Sequence, residues 1–144
     1  MRPLAHRRRI EEVVEVERRI AAPPEEVFPY FTDPDLCLLW HGIEVELDPR
    51  PGGIFRVVLN DAGFVARGVY LQVEPPDRVV FSWGYEGNEG LPPGESTVDV
   101  RLTRDGEGTI LRLRHSGLPS ESACQIHSFG WNTLLDALVG LLSA

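Results

Sequence analysis

The sequence predicts an α+β fold: an antiparallel sheet of about six or seven short strands packed on one long C-terminal helix, with two short helices after the first strand. Three observations predict it. Residues 120–144 repeat apolar side chains at helical spacing, and residues 44–117 alternate at strand spacing. Prolines following the first strand stand where helices begin.

In the closing stretch, Cys124, His127, Trp131, Leu134, Leu138 and Leu141/Leu142 trace one helical face, opposite Gln125, Ser128, Asn132 and Asp136. Ser120 stands at the N-cap, with Glu121 in the positive first turn. A helix so lightly dressed on its polar side must lie on a large apolar surface, which the strands provide.

Taken in order, residues 1–9 form a flexible basic arm, and residues 10–144 form a single domain. Arg7, Arg8 and Arg9 are read as a solvated tail near Glu11 and Glu12. Ile10–Ile20 alternates as the first strand, with Val14 and Val16 on one parity. Pro23-Pro24-Glu25-Glu26 opens a helix, which Pro29 kinks or shortens by removing an N–H donor. Asp33-Pro34 starts a second short helix running up to Trp40.

The rest reads as β until the last helix. Ile43–Leu47, Ile54–Leu59, Phe64–Val73, Val79–Trp83, Thr97–Thr103 and Thr109–His115 are strands, divided by Gly- and Pro-bearing turns such as Pro51-Gly52-Gly53 and Asp105-Gly106. Residues 84–95 (GYEGNEGLPPGE) make a long Gly/Pro-rich loop, either a lid over a pocket mouth or a flexible hairpin tip.

Strand parity turns Phe55, Val57, Val69, Leu71, Phe81, Trp83, Val98, Val100, Leu102, Leu111 and Leu113 toward the helix, and Arg101, Arg112 and Arg114 away from it. His115 shares the inward parity, and His127 lies one turn before Trp131. The candidate cavity lining is therefore Trp40, Phe55, Val69, Phe81, Trp83, Tyr85, His115, His127 and Trp131. For each histidine, a hydrogen-bonded core role competes with acid–base or ligand work. Arg67 either forks onto a ligand carboxylate or faces solvent.

Several classes are disfavoured. A net charge of −8 and a pI near 4.9 do not suit a nucleic-acid binder. No apolar run approaches membrane-spanning length, and no apolar segment follows the N-terminal arginines as in a secretory signal. Cys37 and Cys124 are far apart and read as reduced thiols, which points to the cytoplasm. The helix dipole would lower the Cys124 thiol pKa, but without an evident base partner this residue is read as packing. His41, His115 and His127 lack metal-ligand spacing, so neither a metal nor a cofactor is expected. There is no G-x-S-x-G elbow, P-loop or G-x-G-x-x-G.

Together, Asp33-Pro34…Trp40, Pro51-Gly52-Gly53, Pro75-Pro76, Gly108-Thr109 and Gly130-Trp131 occur in an order that resembles bacterial relatives of the activator of heat-shock protein 90 ATPase. These belong to the START-like helix-grip superfamily, also called SRPBCC. The resemblance covers roughly residues 12–142 and implies a curved antiparallel sheet gripping the C-terminal helix around a cavity. It implies a range of functions: hydrophobic small-molecule binding, cyclase or hydratase chemistry, or protein partnership. The co-chaperone members carry a further domain that this sequence does not show.

The function expected from residues and resemblance together is binding of a hydrophobic or aromatic small molecule between sheet and helix, without defined catalysis. One alternative is a cyclase- or hydratase-like enzyme using His115 and His127 as acid and base. Another is a co-chaperone-like interaction domain. A homodimer is compatible with either.

Overall fold

The computed structural model describes residues 12–143, so the basic arm and Ile10 lie outside the described residues. Strand β1 spans Val13–Ile20. It is followed by α1 (Pro24–Val27), a 3-10 turn over Phe28–Phe31 and α2 (Pro34–Cys37). Then come β2 (Glu44–Leu47), β3 (Ile54–Val58), β4 (Val65–Glu74), β5 (Arg78–Trp83), β6 (Ser96–Asp105), β7 (Gly108–Ser116) and α3 (Glu121–Leu141). The seven strands form one antiparallel sheet in the order β1-β7-β6-β5-β4-β3-β2.

The local chemistry explains the boundaries. Pro29 has no N–H to continue α1, and the chain tightens there into the 3-10 turn. The Asp33 carboxylate accepts from the backbone N–H of Asp35 at 2.9 Å and caps α2. Ser120 Oγ accepts from Ala123 N–H at 3.0 Å and caps α3.

α3 lies across the inner face of the sheet with its axis nearest β1, where the Arg18 guanidinium reaches Asp136 at 2.8 Å and Asn132 at 2.6 Å. His127, Trp131, Leu135 and Leu138 are its buried side chains. Leu135, and not Leu134, therefore takes the deepest place, while Leu134 is half-buried and Leu141 is exposed. The difference is one position of helical phase, about 100° around the axis.

Inward parity holds along β3, β5, β6 and β7, where Phe55, Val57, Phe81, Trp83, Val98, Val100, Leu102, Leu111 and Leu113 are buried. β4 is the exception. Ala66, Gly68 and Tyr70 face inward, while Val69 is 37% exposed and turns outward together with Leu71. The expectation for Val69 and Leu71 is thus corrected. The pairing of β4 with β5 slips between Tyr70 and Gln72, making Leu71 the extra residue of a bulge. Beyond the bulge Val73 opposes Val79 on the inner side. The buried Tyr70 hydroxyl donates to the Phe31 carbonyl at 2.8 Å, tying the 3-10 turn to the sheet.

On the outer face the strands carry an ion-pair ladder. Arg112 meets Glu17 at 3.0 Å, Arg114 meets Glu15 at 3.4 Å, and Asp99 holds both Arg78 and Arg101. The hydrogen-bonding Arg78 and Arg101 guanidiniums outweigh partial burial and leave the Asp99 carboxyl below its ordinary pKa. A charged outer face and an apolar inner face leave the helix side as the place for an apolar ligand.

Candidate functional site

Where α3 begins, it faces two other elements: the tip of the β3–β4 hairpin and the loop of residues 84–95. That loop is ordered. Tyr85 N–H donates to the Leu91 carbonyl at 2.8 Å, and Glu86 N–H donates to Val65 O at 3.0 Å. The Asn88 side chain accepts from the backbone N–H of Gly90 and Leu91. Leu91 is buried in the core, and Glu86 is held by Arg56 at 2.9 Å and Arg67 at 3.2 Å. These contacts make the loop a fixed wall, and Arg67 is spent on Glu86 instead of facing the groove.

Two adjoining compartments result. An outer groove of about 540 Å³ runs between the hairpin tip (Leu59, Phe64), the loop (Tyr85, Leu91) and the start of α3 (Ala123, Ile126, His127). Behind it lies an inner cleft of about 140 Å³ against His41, Trp83, Trp131, Gly130 and Leu134. Tyr85, His127, Leu59 and Ile126 line both. No Asp, Glu or Arg lines either compartment.

The partition between them is a hydrogen-bonded pair. His127 Nδ1 lies 2.7 Å from the Ala123 carbonyl, which only accepts, so Nδ1 carries the proton. Nε2 is then bare and accepts from the Tyr85 hydroxyl at 2.7 Å. Burial raises the Tyr85 pKa above the ordinary phenol value, opposed by the nearby Trp83 indole N–H. That indole N–H nevertheless meets hydrogen-bond geometry with no group among the described residues.

His115 is differently placed. Trp131 Nε1–H donates to its Nδ1 at 3.0 Å, so the ring proton sits on Nε2 and is donated to Ser96 Oγ at 2.8 Å. Ser96 passes its own proton to the Trp83 carbonyl at 2.8 Å. Desolvation, and secondarily the nearby His127, push the His115 pKa down to about 3. Ser96 and His115 have the separation of a nucleophile and its base, but the proton is on the wrong side for that chemistry. His115 is a satisfied core histidine, 5.1 Å ring to ring from His127, and outside the cleft lining.

Of the expected cavity residues, Trp83, Tyr85, His127 and Trp131 line the inner cleft. Phe55 and Phe81 stack on one another at 4.0 Å in the core below it. Trp40 is buried against Phe31 and donates its indole N–H to the Tyr30 carbonyl at 3.0 Å. Val69 is on the opposite face of the sheet.

His41 is the wall residue that sequence reasoning considered only as a metal ligand. It is 3% exposed, stacks parallel to Trp83 at 5.9 Å, and meets Trp131 edge-on at 5.7 Å. Burial lowers its pKa to about 4, and its Nε2 has no hydrogen-bond partner among the described residues. The signal lay in the run Trp40-His41-Gly42: Gly42 takes a φ of +86°, and a Cβ there would meet Val57 at 2.4 Å. A backbone packed that tightly on β3 carries its preceding side chain into the core. Gly130, a small residue in the helix stripe between His127 and Trp131, was the other legible sign of a hollow.

Neither cysteine is activated. Burial pushes the Cys37 thiol up to about 12, and burial together with Glu12 and Glu121 raises that of Cys124, against the lowering expected from the dipole. No group of three or more His, Cys, Asp or Glu side chains among the described residues is arranged to hold a metal. No helix among them is long and apolar enough to cross a membrane.

Comparison with known proteins fits this architecture. No curated protein matches the sequence. An AHSA1-like protein of Rhizobium etli superposes with a TM-score of 0.70 at 46% identity, covering 88% of this chain and 79% of that one. CalU16 of Micromonospora echinospora superposes at 0.74 with 36% identity, covering 90% and 74%. DynU16, from the dynemicin biosynthetic locus, superposes at 0.81 with 28% identity over 92% of this chain and 48% of its own. Residues 21–143 match the profile of the family described as Activator of Hsp90 ATPase homolog 1-like protein. With that match over most of its length, and an open seven-stranded antiparallel sheet packed on a long C-terminal helix, the chain belongs to this family and has its helix-grip fold.

Proposed function

We propose that the chain binds a hydrophobic small molecule in the two compartments between loop 84–95, the β3–β4 hairpin tip and α3. One observation carries the reading: an apolar groove and an aromatic cleft adjoin, share the Tyr85–His127 pair, and have no charged side chain in their lining. The groove falls within the roughly 300–1,000 Å³ typical of small-molecule sites, with a few convergent polar groups to orient a ligand. Phe64 and Ile126 are exposed at its rim, where apolar side chains would otherwise cost solubility. A relative from a biosynthetic locus is in keeping with a small-molecule role. Two-histidine catalysis is disfavoured, because both His115 nitrogens are engaged by Trp131 and Ser96.

Nile red, a neutral hydrophobic dye, is expected to bind with one-to-one stoichiometry. Ile126→Asp places a charge where the compartments meet, and it should weaken binding at least about tenfold while leaving the melting temperature nearly unchanged, since Ile126 is 66% exposed. Equal dye affinity in the variant and the parent would contradict the assignment.

A further inference from the structure

Gly130 stands where neither the backbone nor the packing asks for a glycine. It is the tenth of the 21 residues of α3. In a helix interior, glycine lowers the folding equilibrium about fivefold relative to alanine. Other glycines of this fold have a reason. Gly42 takes a φ of +86°, and at Gly68 an added Cβ would lie 1.9 Å from the Ser82 carbonyl oxygen. Gly130 has neither reason: it is not among the glycines of positive φ, and an added Cβ would meet no atom within 4 Å. Gly140, the other glycine of α3, also has open space, but it is exposed and one residue from the helix end, where helices fray.

The space at Gly130 belongs to the inner cleft. Ile126 and Leu134, one turn to either side on the same i, i+4 row of α3, line the cleft together with it. The glycine is therefore a notch in the helix wall of a cleft whose other walls are His41, Leu59, Trp83 and Tyr85. The side chains of that lining offer a ligand carbon. Trp83 Nε1 and His41 Nε2 are closed off from the surface, both His127 nitrogens are engaged by the Ala123 carbonyl and Tyr85, and Trp131 Nε1 is engaged by His115. The volume of about 140 Å³ is close to that of an apolar cavity that admits a single benzene ring. Building on the small-molecule reading above, we infer that Gly130 is a specificity-determining residue. By omitting a side chain it lets an apolar, ring-sized end of the ligand, in the simplest case a phenyl group, rest against the α3 backbone in the inner cleft. The empty fold is less stable for that space, as binding sites often are.

Benzene binding and thermal unfolding, measured on the parent chain, Gly130→Ala and Gly130→Leu, test this. Gly130→Ala should raise the melting temperature by about 3 °C through helix propensity, and yet weaken benzene binding at least about fivefold. Gly130→Leu fills the cleft and should weaken benzene at least about fiftyfold. If the leucine variant does not fold, Gly130→Ala decides. Benzene binding to Gly130→Ala with the parent's affinity or better overturns the inference. A Gly130→Ala melting temperature below the parent's also overturns it, because the fold itself would then require the glycine. A parent chain that binds Nile red but not benzene overturns the inference and leaves the small-molecule reading standing. A parent chain that binds neither overturns that reading as well.

Discussion

Taking the protein from pH 7 to pH 4 is expected to remove about 6 kcal/mol of unfolding free energy, enough to unfold a domain of ordinary stability. The cause is a pair of buried neutral imidazoles. In the fold, His41 titrates near pH 4 and His115 near pH 3, because burial disfavours their charged forms. In the unfolded chain both return to about 6.5. Above pH 6.5 neither state is protonated at these positions, and the full stability is present. As pH falls below 6.5 the unfolded chain takes up about two protons that the folded chain refuses, so the slope approaches about 2.7 kcal/mol per pH unit. The loss ends where the folded groups themselves titrate, near pH 4 for His41 and pH 3 for His115. Glu86 and Asp99, whose carboxyls are held low in the fold by hydrogen-bonding arginines, push the same way at the acid end. Urea unfolding at pH 7, 6, 5 and 4 measures this. A flat profile over that range would mean that the imidazoles are protonated in the folded state, and the tautomers assigned to the His115–Trp131–Ser96 chain would be wrong.

Gly68→Ala is expected to cost more than about 3 kcal/mol. A Cβ at this position would sit 1.9 Å from the Ser82 carbonyl oxygen and 2.4 Å from its carbon. These are backbone atoms of the neighbouring strand, so relief requires β4 and β5 to part. Gly68 also pairs with Phe55, whose ring stacks on Phe81 beneath the cleft, so the disturbance reaches the aromatic floor of the site. Gly130→Ala is the matched control, because a Cβ at Gly130 meets no atom within 4 Å. Chemical denaturation of both variants is the check, and a Gly68→Ala protein with the parent's midpoint would contradict the tight approach of β4 to β5.

The sequence made the sheet legible because four of its strands alternate cleanly, as Val98, Val100 and Leu102 do against Thr97, Asp99 and Arg101. β4 defeated the same logic. Its outward parity carries Val69 and Leu71, larger and more apolar than the Ala66 and Gly68 that face inward, and the bulge at Leu71 shifts the phase partway along. Hydrophobic count and burial diverge there because Gly68 must be small for β5 to approach, a constraint invisible to periodicity. The site was half legible. Trp83, Tyr85, His127 and Trp131 follow from parity and helical spacing, whereas the roles of His41 and His115 depend on which nitrogen meets which partner. Trp131 and Ser96 take both His115 nitrogens, while His41 Nε2 is buried without a hydrogen-bond partner among the described residues. Such pairings join residues from remote segments and leave no local pattern.

The central claim is that the compartments between loop 84–95 and α3 are a binding site, and mapping a neutral aromatic probe on the backbone amide spectrum tests it most directly. With naphthalene added to the protein, the displaced resonances should be those of Tyr85, Leu91, Ile126, His127, Gly130 and Trp131, the residues around the groove and cleft. Displacements confined to the outer sheet face around Glu15, Asp99, Arg101 and Arg112, or none at saturating probe, would contradict it.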